Sequence, residues 1–216
     1  MDGSLSIDEL GSVPSFTWPA VSPSGASLAV YREQDEQCTL LVIDLETGTT
    51  SSIPSDLSLK PNHRIVWDRT GEQLYVHHSD TGAERTDIYT LGLDGTARPL
   101  ITREGRCWLW DVSPDDRSLL YSHRRPDADL WESPRTLYCY DRDTDTHHQL
   151  TPDDQFVMAR GNRYSSDGEW FTYAAATKGD GSLLERSRVY IARADGTDAR
   201  TLAIGSEESR TFVKDW

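Results

Sequence analysis

The stretch AVSPSGASLAVY, residues 20–31, carries the pattern that decides the fold. An apolar residue, Val21, stands before a polar turn of four, Ser22-Pro23-Ser24-Gly25. Two linking residues follow, and then apolar side chains return. Glycine at the close of such a turn supplies the positive φ that a tight reversal demands. Apolar residues after a turn, bounded by small polar breakers, are the signature of a β-strand entered from a hairpin.

The same layout recurs three times: IVWDRTGEQLYV at 65–76, WDVSPDDRSLLY at 110–121 and NRYSSDGEWFTY at 162–173. The turns close on Gly25, Gly71, Asp116 and Gly168, at spacings of 46, 45 and 52 residues. Asp116 is the weakest copy, although aspartate tolerates left-handed backbone better than most residues. The apolar anchors before the turns are Val21, Trp67, Val112 and Tyr164.

Each repeat continues alike. A second strand follows the turn (SLAVY, QLYVHH, SLLYSH, WFTYAA), and a third comes later (TLLVIDL, DIYTLGL, TLYCYDR, RVYIARA). A second turn (ETGT, DGT, DTDT, DGT) leads to a short fourth strand (SSIP, RPLIT, HHQLT, RTLAI). A repeat of about 45 to 50 residues built as a four-stranded antiparallel meander has the size of a β-propeller blade. The expected fold is therefore all-β, with a lead-in at 1–15 and blades at about 16–56, 62–102, 106–151 and 157–204. The last spacing, carried forward, puts the next anchor on Trp216, so RTFVKDW at 210–216 is expected to be the first strand of a fifth blade. The 15 residues of the lead-in are too few and too polar for three strands, and a helical turn at 7–10 suits them better. Four blades and one strand are then expected as an open or partial ring. A compact four-bladed ring is the alternative.

Composition narrows the setting. The formal charge is −14; only three of the 22 basic residues are lysines, and 24 of the 36 acids are aspartates. Such a surface repels nucleic acid and anionic membrane. Aspartate-rich, lysine-poor usage suggests adaptation to a salt-rich cytoplasm, where ions screen self-repulsion. No apolar run approaches the roughly 18 residues of a membrane helix, and the acidic start MDGSLSIDEL lacks the layout of a secretion signal. A cytoplasmic location is expected. Cys38, Cys107 and Cys139 lie far apart and read as small buried apolar side chains rather than a disulfide framework or a metal set.

The residues resemble the propeller repeats shared by TolB-like proteins and the prolyl oligopeptidase family of serine peptidases. The likeness lies in the W-S-P-D-G-x-x-L-x-Y start and the I-Y-x-x-D-x-x-G-x-x-x-x-L-T finish, and it covers roughly residues 15–216. DTGAERTDIYTLGLDG at 80–95 is similar to an acidic D-x-x-G-x-E-x-x-x-I-Y hairpin of the acylaminoacyl-peptidase-like branch. It matches at Asp80, Glu84, Ile88 and Tyr89, with Gly82 one place early. ELGSVPSFTWPAVSPSG, at 9–25, is similar to the lead-in of that propeller. The resemblance implies a propeller that caps an α/β-hydrolase domain and filters substrates by size, with the catalytic serine, aspartate and histidine on the hydrolase. Fewer blades than that family's ring of about seven, and no hydrolase segment, imply a truncated or fragmentary copy.

The chain itself offers no catalytic set. G-x-S-x-G, which holds a hydrolase serine on a sharp strand-to-helix turn, does not occur, and Ser182 and Ser206 lack the second glycine. The pairs His77-His78 and His147-His148 fall on expected strands, where neighbours face opposite ways and would not share one ion. DRDTDT at 141–146 imitates a calcium loop but places Thr146 and Pro152 where glycine and glutamate are required. No metal, cofactor or phosphate site is expected.

Two inserts between second and third strands, RRPDADLWESP at 124–134 and ATKGDGSLLERS at 176–187, should emerge on one rim. Arg124, Arg125, Trp131 and Glu132 combine charge with an aromatic anchor suited to a partner domain or peptide. The alternative is an acid-balanced surface loop. Two functions follow as expectations: a non-catalytic gating and docking domain at the front of a serine peptidase, or a TolB-like interaction scaffold with no enzyme attached.

Overall fold

The computed structural model describes residues 13–35, 37–79, 85–125, 134–158, 161–179 and 186–204. Every regular element among them is a strand, and among them no helix is long and apolar enough to cross a membrane. The helical turn expected at 7–10, the strand at 210–216 with Trp216, and the run 80–84 lie outside the described residues.

Among the described residues seventeen strands form four antiparallel sheets, each a meander. The first contains β1 (Ser15–Val21), β2 (Ser27–Gln34), β3 (Gln37–Asp44) and β4 (Thr50–Ile53). The second contains β5 (Val66–Trp67), β6 (Gln73–His78), β7 (Asp87–Gly92) and β8 (Ala97–Ile101). The third contains β9 (Arg106–Val112), β10 (Ser118–Arg124), β11 (Thr136–Asp141) and β12 (Thr146–Gln149). In the fourth, the expected first strand is split into β13 (Gln155–Val157) and β14 (Arg163–Tyr164), both paired to β15 (Trp170–Thr177), with β16 (Ser187–Arg193) and β17 (Arg200–Ile204) beyond.

The four turns after the anchors are built alike. Gly25, Gly71 and Gly168 take φ of 75°, 76° and 75°, and Asp116 takes 61° in the same role. The residue just after each anchor (Ser22, Asp68, Ser113 or Ser165) is buried. Its side-chain oxygen accepts the backbone N–H five residues on, from Ser27, Gln73, Ser118 and Trp170 at 2.9–3.2 Å. A small acceptor there closes the hairpin by occupying an amide that the turn would otherwise leave unpaired.

The first strand of every sheet is irregular near its middle. In β1 the register shifts between Thr17 and Ala20, where Trp18 has φ 52°. In β9 the shift skips Trp110. The second sheet replaces regular pairing with a bridge from Leu59 to His78, followed by β5. The interruption between β13 and β14 supplies part of the longer last repeat, and the β10–β11 connection supplies the rest.

The chain divides into two compact units. In the first, Ala29, Tyr31, Leu40 and Ile53 of the first sheet share one core with Trp67, Leu74, Val76 and Leu91 of the second. In the other, Trp110, Leu120, Leu137 and Leu150 share a core with Val157, Tyr164, Phe171 and Tyr173. Each second strand contributes one tyrosine to the interior: Tyr31, Tyr75, Tyr121 and Tyr173. Burial raises the phenol pKa of Tyr31, Tyr121 and Tyr173, so these side chains are neutral structural groups. Of the cysteines, only Cys107 is fully buried; Cys38 and Cys139 are half-buried, and all three are free thiols.

Candidate functional site

The second unit brings cations together along one edge of the third sheet. In the β9–β10 ladder Arg106 lies directly opposite Arg124, and Trp108 lies opposite Ser122. Residues two apart on a strand share a face, so Arg106, Trp108, Ser122 and Arg124 look the same way. Arg135 stands one residue before Thr136, which pairs with His123, and so continues the row beside Arg124. Its guanidinium carbon sits 4.2 Å from the centre of the Trp108 ring and 5.4 Å from that of Phe156. Its Nε is buried without a hydrogen-bond partner. Burial first, and then the Arg124 charge, push the Arg135 guanidinium down to about 10.

The backbone fixes this row. Thr86, a segment of the same unit, bridges to Arg106: its N–H donates to the Gly105 carbonyl at 3.0 Å, and its own carbonyl accepts Cys107 N–H at 2.9 Å. Gly105 has φ 98°, and a Cβ there would lie 2.4 Å from the Arg124 carbonyl oxygen, so only glycine allows the close approach. Across to the fourth sheet, Val157 N–H donates to the Arg135 carbonyl at 2.8 Å.

Of the residues singled out by the sequence, Arg124 ends β10 within this row and Arg125 follows it, exposed. Trp131 and Glu132 lie outside the described residues. Arg106, Arg135, Trp108 and Phe156 were not anticipated. Their signal was long-range: residues spread over fifty positions meet only when the ladders of the third sheet are aligned and the fourth sheet packs against it.

The other face of the third sheet holds a polar network. Arg103 Nη1 donates to the Tyr121 hydroxyl at 2.8 Å, and that hydroxyl lies 3.0 Å from His147 Nδ1. Tyr121 stacks on Tyr138, over whose ring the Arg103 guanidinium sits at 4.8 Å. Burial, then the Arg103 charge, lower the His147 pKa and favour its neutral ring. His123 Nε2 donates to the Glu104 carbonyl at 2.6 Å, and burial lowers its pKa as well. The two histidine pairs do face opposite ways. His77 is buried and stacked on His63 at 4.5 Å, while His78 Nδ1 accepts Ser58 N–H at 3.0 Å. DRDTDT is a hairpin turn in which Asp141 Oδ1 accepts the N–H groups of Asp143 and Thr144, both at 2.9 Å. Among the described residues no three His, Cys, Asp or Glu side chains are grouped to hold a metal ion.

At the opposite rim of this unit, a cleft of about 410 Å³ opens between the turns of the third and fourth sheets. Asp115 and Asp167 line it with Pro114, Cys139 and Tyr164. The Ser113 and Ser165 hydroxyls donate to these carboxylates at 2.6 and 2.5 Å and hold both pKa values below the usual range. Tyr164 N–H donates to Asp111 Oδ2 at 3.0 Å, and the Tyr164 hydroxyl lies 3.6 Å from Cys139 Sγ. Burial raises the Tyr164 pKa, which removes it as a base near neutrality. Beside the cleft, the Tyr164–Asp111 hydrogen bond ties the fourth sheet to the third.

A scan against protein-family models finds no match, and a search of curated protein sequences finds none. Solved structures do match. TolB from Acinetobacter baumannii aligns with a TM-score of 0.67 and 19% identity over 91% of this chain and 45% of its own. A prolyl endopeptidase aligns at 0.65 and 16% identity over 90% of this chain and 30% of its own. The β-propeller domain of the Trilobed protease from Pyrococcus furiosus, described as having an open velcro topology, aligns at 0.58 and 15% identity over 87% and 57%. This chain spans less than two thirds of the length of each. The fold is therefore the β-propeller fold, as the repeated turns and four-stranded meanders implied.

Proposed function

We propose that this chain is a non-catalytic gating and docking propeller domain, the front part of a prolyl-oligopeptidase-like serine peptidase. In this reading its sheets form walls that admit or exclude peptides, and bond cleavage belongs to an α/β-hydrolase domain. The observation that carries it is the match to a prolyl endopeptidase, which takes in 90% of this chain but only 30% of that enzyme. Ile88 and Tyr89 of the acidic hairpin support the same branch: both lie on β7, with Ile88 buried. The aspartate-rich surface fits a salt-rich cytoplasm.

The second reading, a TolB-like interaction scaffold without an enzyme, is favoured by the equally good alignment with TolB. Reading the gene beyond codon 216 separates the two. Further repeats followed by G-x-S-x-G support the peptidase, whereas further repeats and a stop support the scaffold. An immediate stop removes the gating reading, since nothing is left to gate. The isolated chain should cleave no peptide; turnover abolished by a serine-reactive inhibitor would overturn both readings.

A further inference from the structure

We propose that the exposed face of the first sheet is a self-association surface, and that its occupant is the same face of a second copy of this chain. This holds whether the propeller serves a peptidase or a scaffold.

Register defines the face. Val21 lies opposite Leu28 and Leu28 opposite Ile43, while Phe16 lies opposite Arg32. Cross-strand partners share a face, and residues two apart on a strand rejoin it. These residues therefore lie on the side of the sheet away from the core built on Ala29, Tyr31 and Leu40. The bulge in β1 seats Trp18 and Pro19 opposite Val30, a member of the same face.

Equivalent positions in other sheets show what such a face receives. Trp67 and Leu74 of the second sheet stand where Val21 and Leu28 stand in the first, and both are buried in the core shared with the first sheet. Tyr164 and Phe171 of the fourth sheet hold the same places and are buried in the core shared with the third. In the first sheet Val21 is 59% exposed, Phe16 57% and Trp18 45%, and Leu28 is half-buried. Trp18 also holds φ 52°, a strained backbone for a bulky residue. It leaves an indole at the surface, and buried aromatic anchors are where interfaces concentrate binding energy.

The occupant follows from charge and area. With a net charge of −14, two copies repel one another through most of their surface. The cross-strand rows of this face contain no acidic residue. Among the described residues seven large apolar side chains are exposed, and four of them, Phe16, Trp18, Val21 and Leu45, belong to the first sheet and the turn that follows β3. Leu93 and Leu202 stand apart, after β7 and within β17. The densest apolar surface that the described part of a second copy presents is therefore this same face. Half-exposed side chains of this size leave roughly 100 Å² each. With the exposed polar members of the same rows, one copy offers about 600 Å² and a pair about 1,200 Å², the lower end of specific interfaces. A two-fold axis makes the contact self-complementary and closes it at two copies. Sheets stack in this way at about 10 Å, with side chains interdigitating.

The test is sedimentation velocity on the full chain from about 1 to 200 µM, the range in which an interface of this size associates, at a salt concentration where the chain is folded. A reversible monomer–dimer equilibrium is expected, tightening as salt screens the like charges. Val21→Asp and Phe16→Asp each place a carboxylate in the contact and should raise the dissociation constant about tenfold or more. Leu93→Asp, at an exposed position after β7, should leave it unchanged. Circular dichroism checks that each variant is folded. Hydroxyl-radical labelling of the parent needs no variant: Phe16 and Trp18 should become protected as concentration rises, and Leu202 should not. A chain that stays monomeric through that range assigns the face to another occupant and overturns the proposal. So does a dimer that both substitutions leave unchanged, or one in which Phe16 and Trp18 are labelled as in the monomer.

Discussion

The indole Nε1–H of Trp67 donates to the carbonyl oxygen of Ala20 across 2.9 Å, joining the anchor of the second sheet to the first strand of the first. Trp67 is 5% exposed, and its ring belongs to the core that both sheets share. One residue therefore supplies both apolar packing and a directional tie. Trp67→Phe keeps most of the packing and strands the Ala20 carbonyl, a cost of about 1–3 kcal/mol. Trp67→Ala removes the ring as well and should cost about 3–5 kcal/mol. Urea midpoints at fixed salt check the order; a Phe variant as stable as the parent would show that the hydrogen bond contributes nothing.

Two left-handed positions should respond oppositely to substitution. Gly95 has φ 91°, and a Cβ there would stand 2.4 Å from the Pro54 carbonyl oxygen. Gly95→Ala combines backbone strain with a clash against main chain and should cost about 2–4 kcal/mol. Asp116 already bears a side chain at φ 61°, and its carboxylate pairs with Arg142 at 2.5 Å. Asp116→Gly relieves the backbone and loses a partly exposed ion pair, so stability should move by less than about 1 kcal/mol. Thermal unfolding of the two variants side by side tests the contrast.

Stability should fall as pH drops below the ordinary histidine range. Burial holds the His77 pKa well below 6.5, with the neighbouring His63 charge adding to the effect. Between those two values the unfolded chain takes up a proton that the folded chain refuses. Folding is then favoured above about pH 6.5 and loses up to roughly 1.4 kcal/mol per pH unit below it for this group. His123 and His147 shift the same way and add smaller amounts. His77→Gln should flatten the slope between pH 6.5 and 5, a window above the turn carboxylates, whose pKa values are lowered. An unchanged slope in that variant would assign the pH dependence elsewhere.

We further propose that molar salt stabilises the fold. With a formal charge of −14, self-repulsion acts over a screening length of about 30 Å at 0.01 M salt and about 3 Å at 1 M. The melting temperature should rise steadily across that range in potassium chloride. A flat or falling curve would remove the argument for salt adaptation.

Much of this architecture was legible because it rests on local chemistry. Ser-Pro-Ser-Gly and Ser-Ser-Asp-Gly dictate a reversal wherever they occur, and Asp116 adopted the left-handed backbone its alignment required. Ser22, Asp68, Ser113 and Ser165 were in plain view, but their common role as amide acceptors emerges only from the closed turns. The split of the fourth sheet's first strand left a trace in the 52-residue spacing, yet length alone does not say where extra residues fall.

By itself the sequence determined the repeat, the strand count per repeat and the residues that turn the chain, since hairpins are set by neighbours a few positions apart. Tertiary structure alone decided which distant residues meet. Arg124 was visible as a charged loop end, but Arg106 and Arg135 joined it only through the register of three strands. Trp108 and Phe156 became the walls of Arg135 only when two sheets packed together. Long-range placement depends on how faces stack and ladders align, and no short window of residues encodes that.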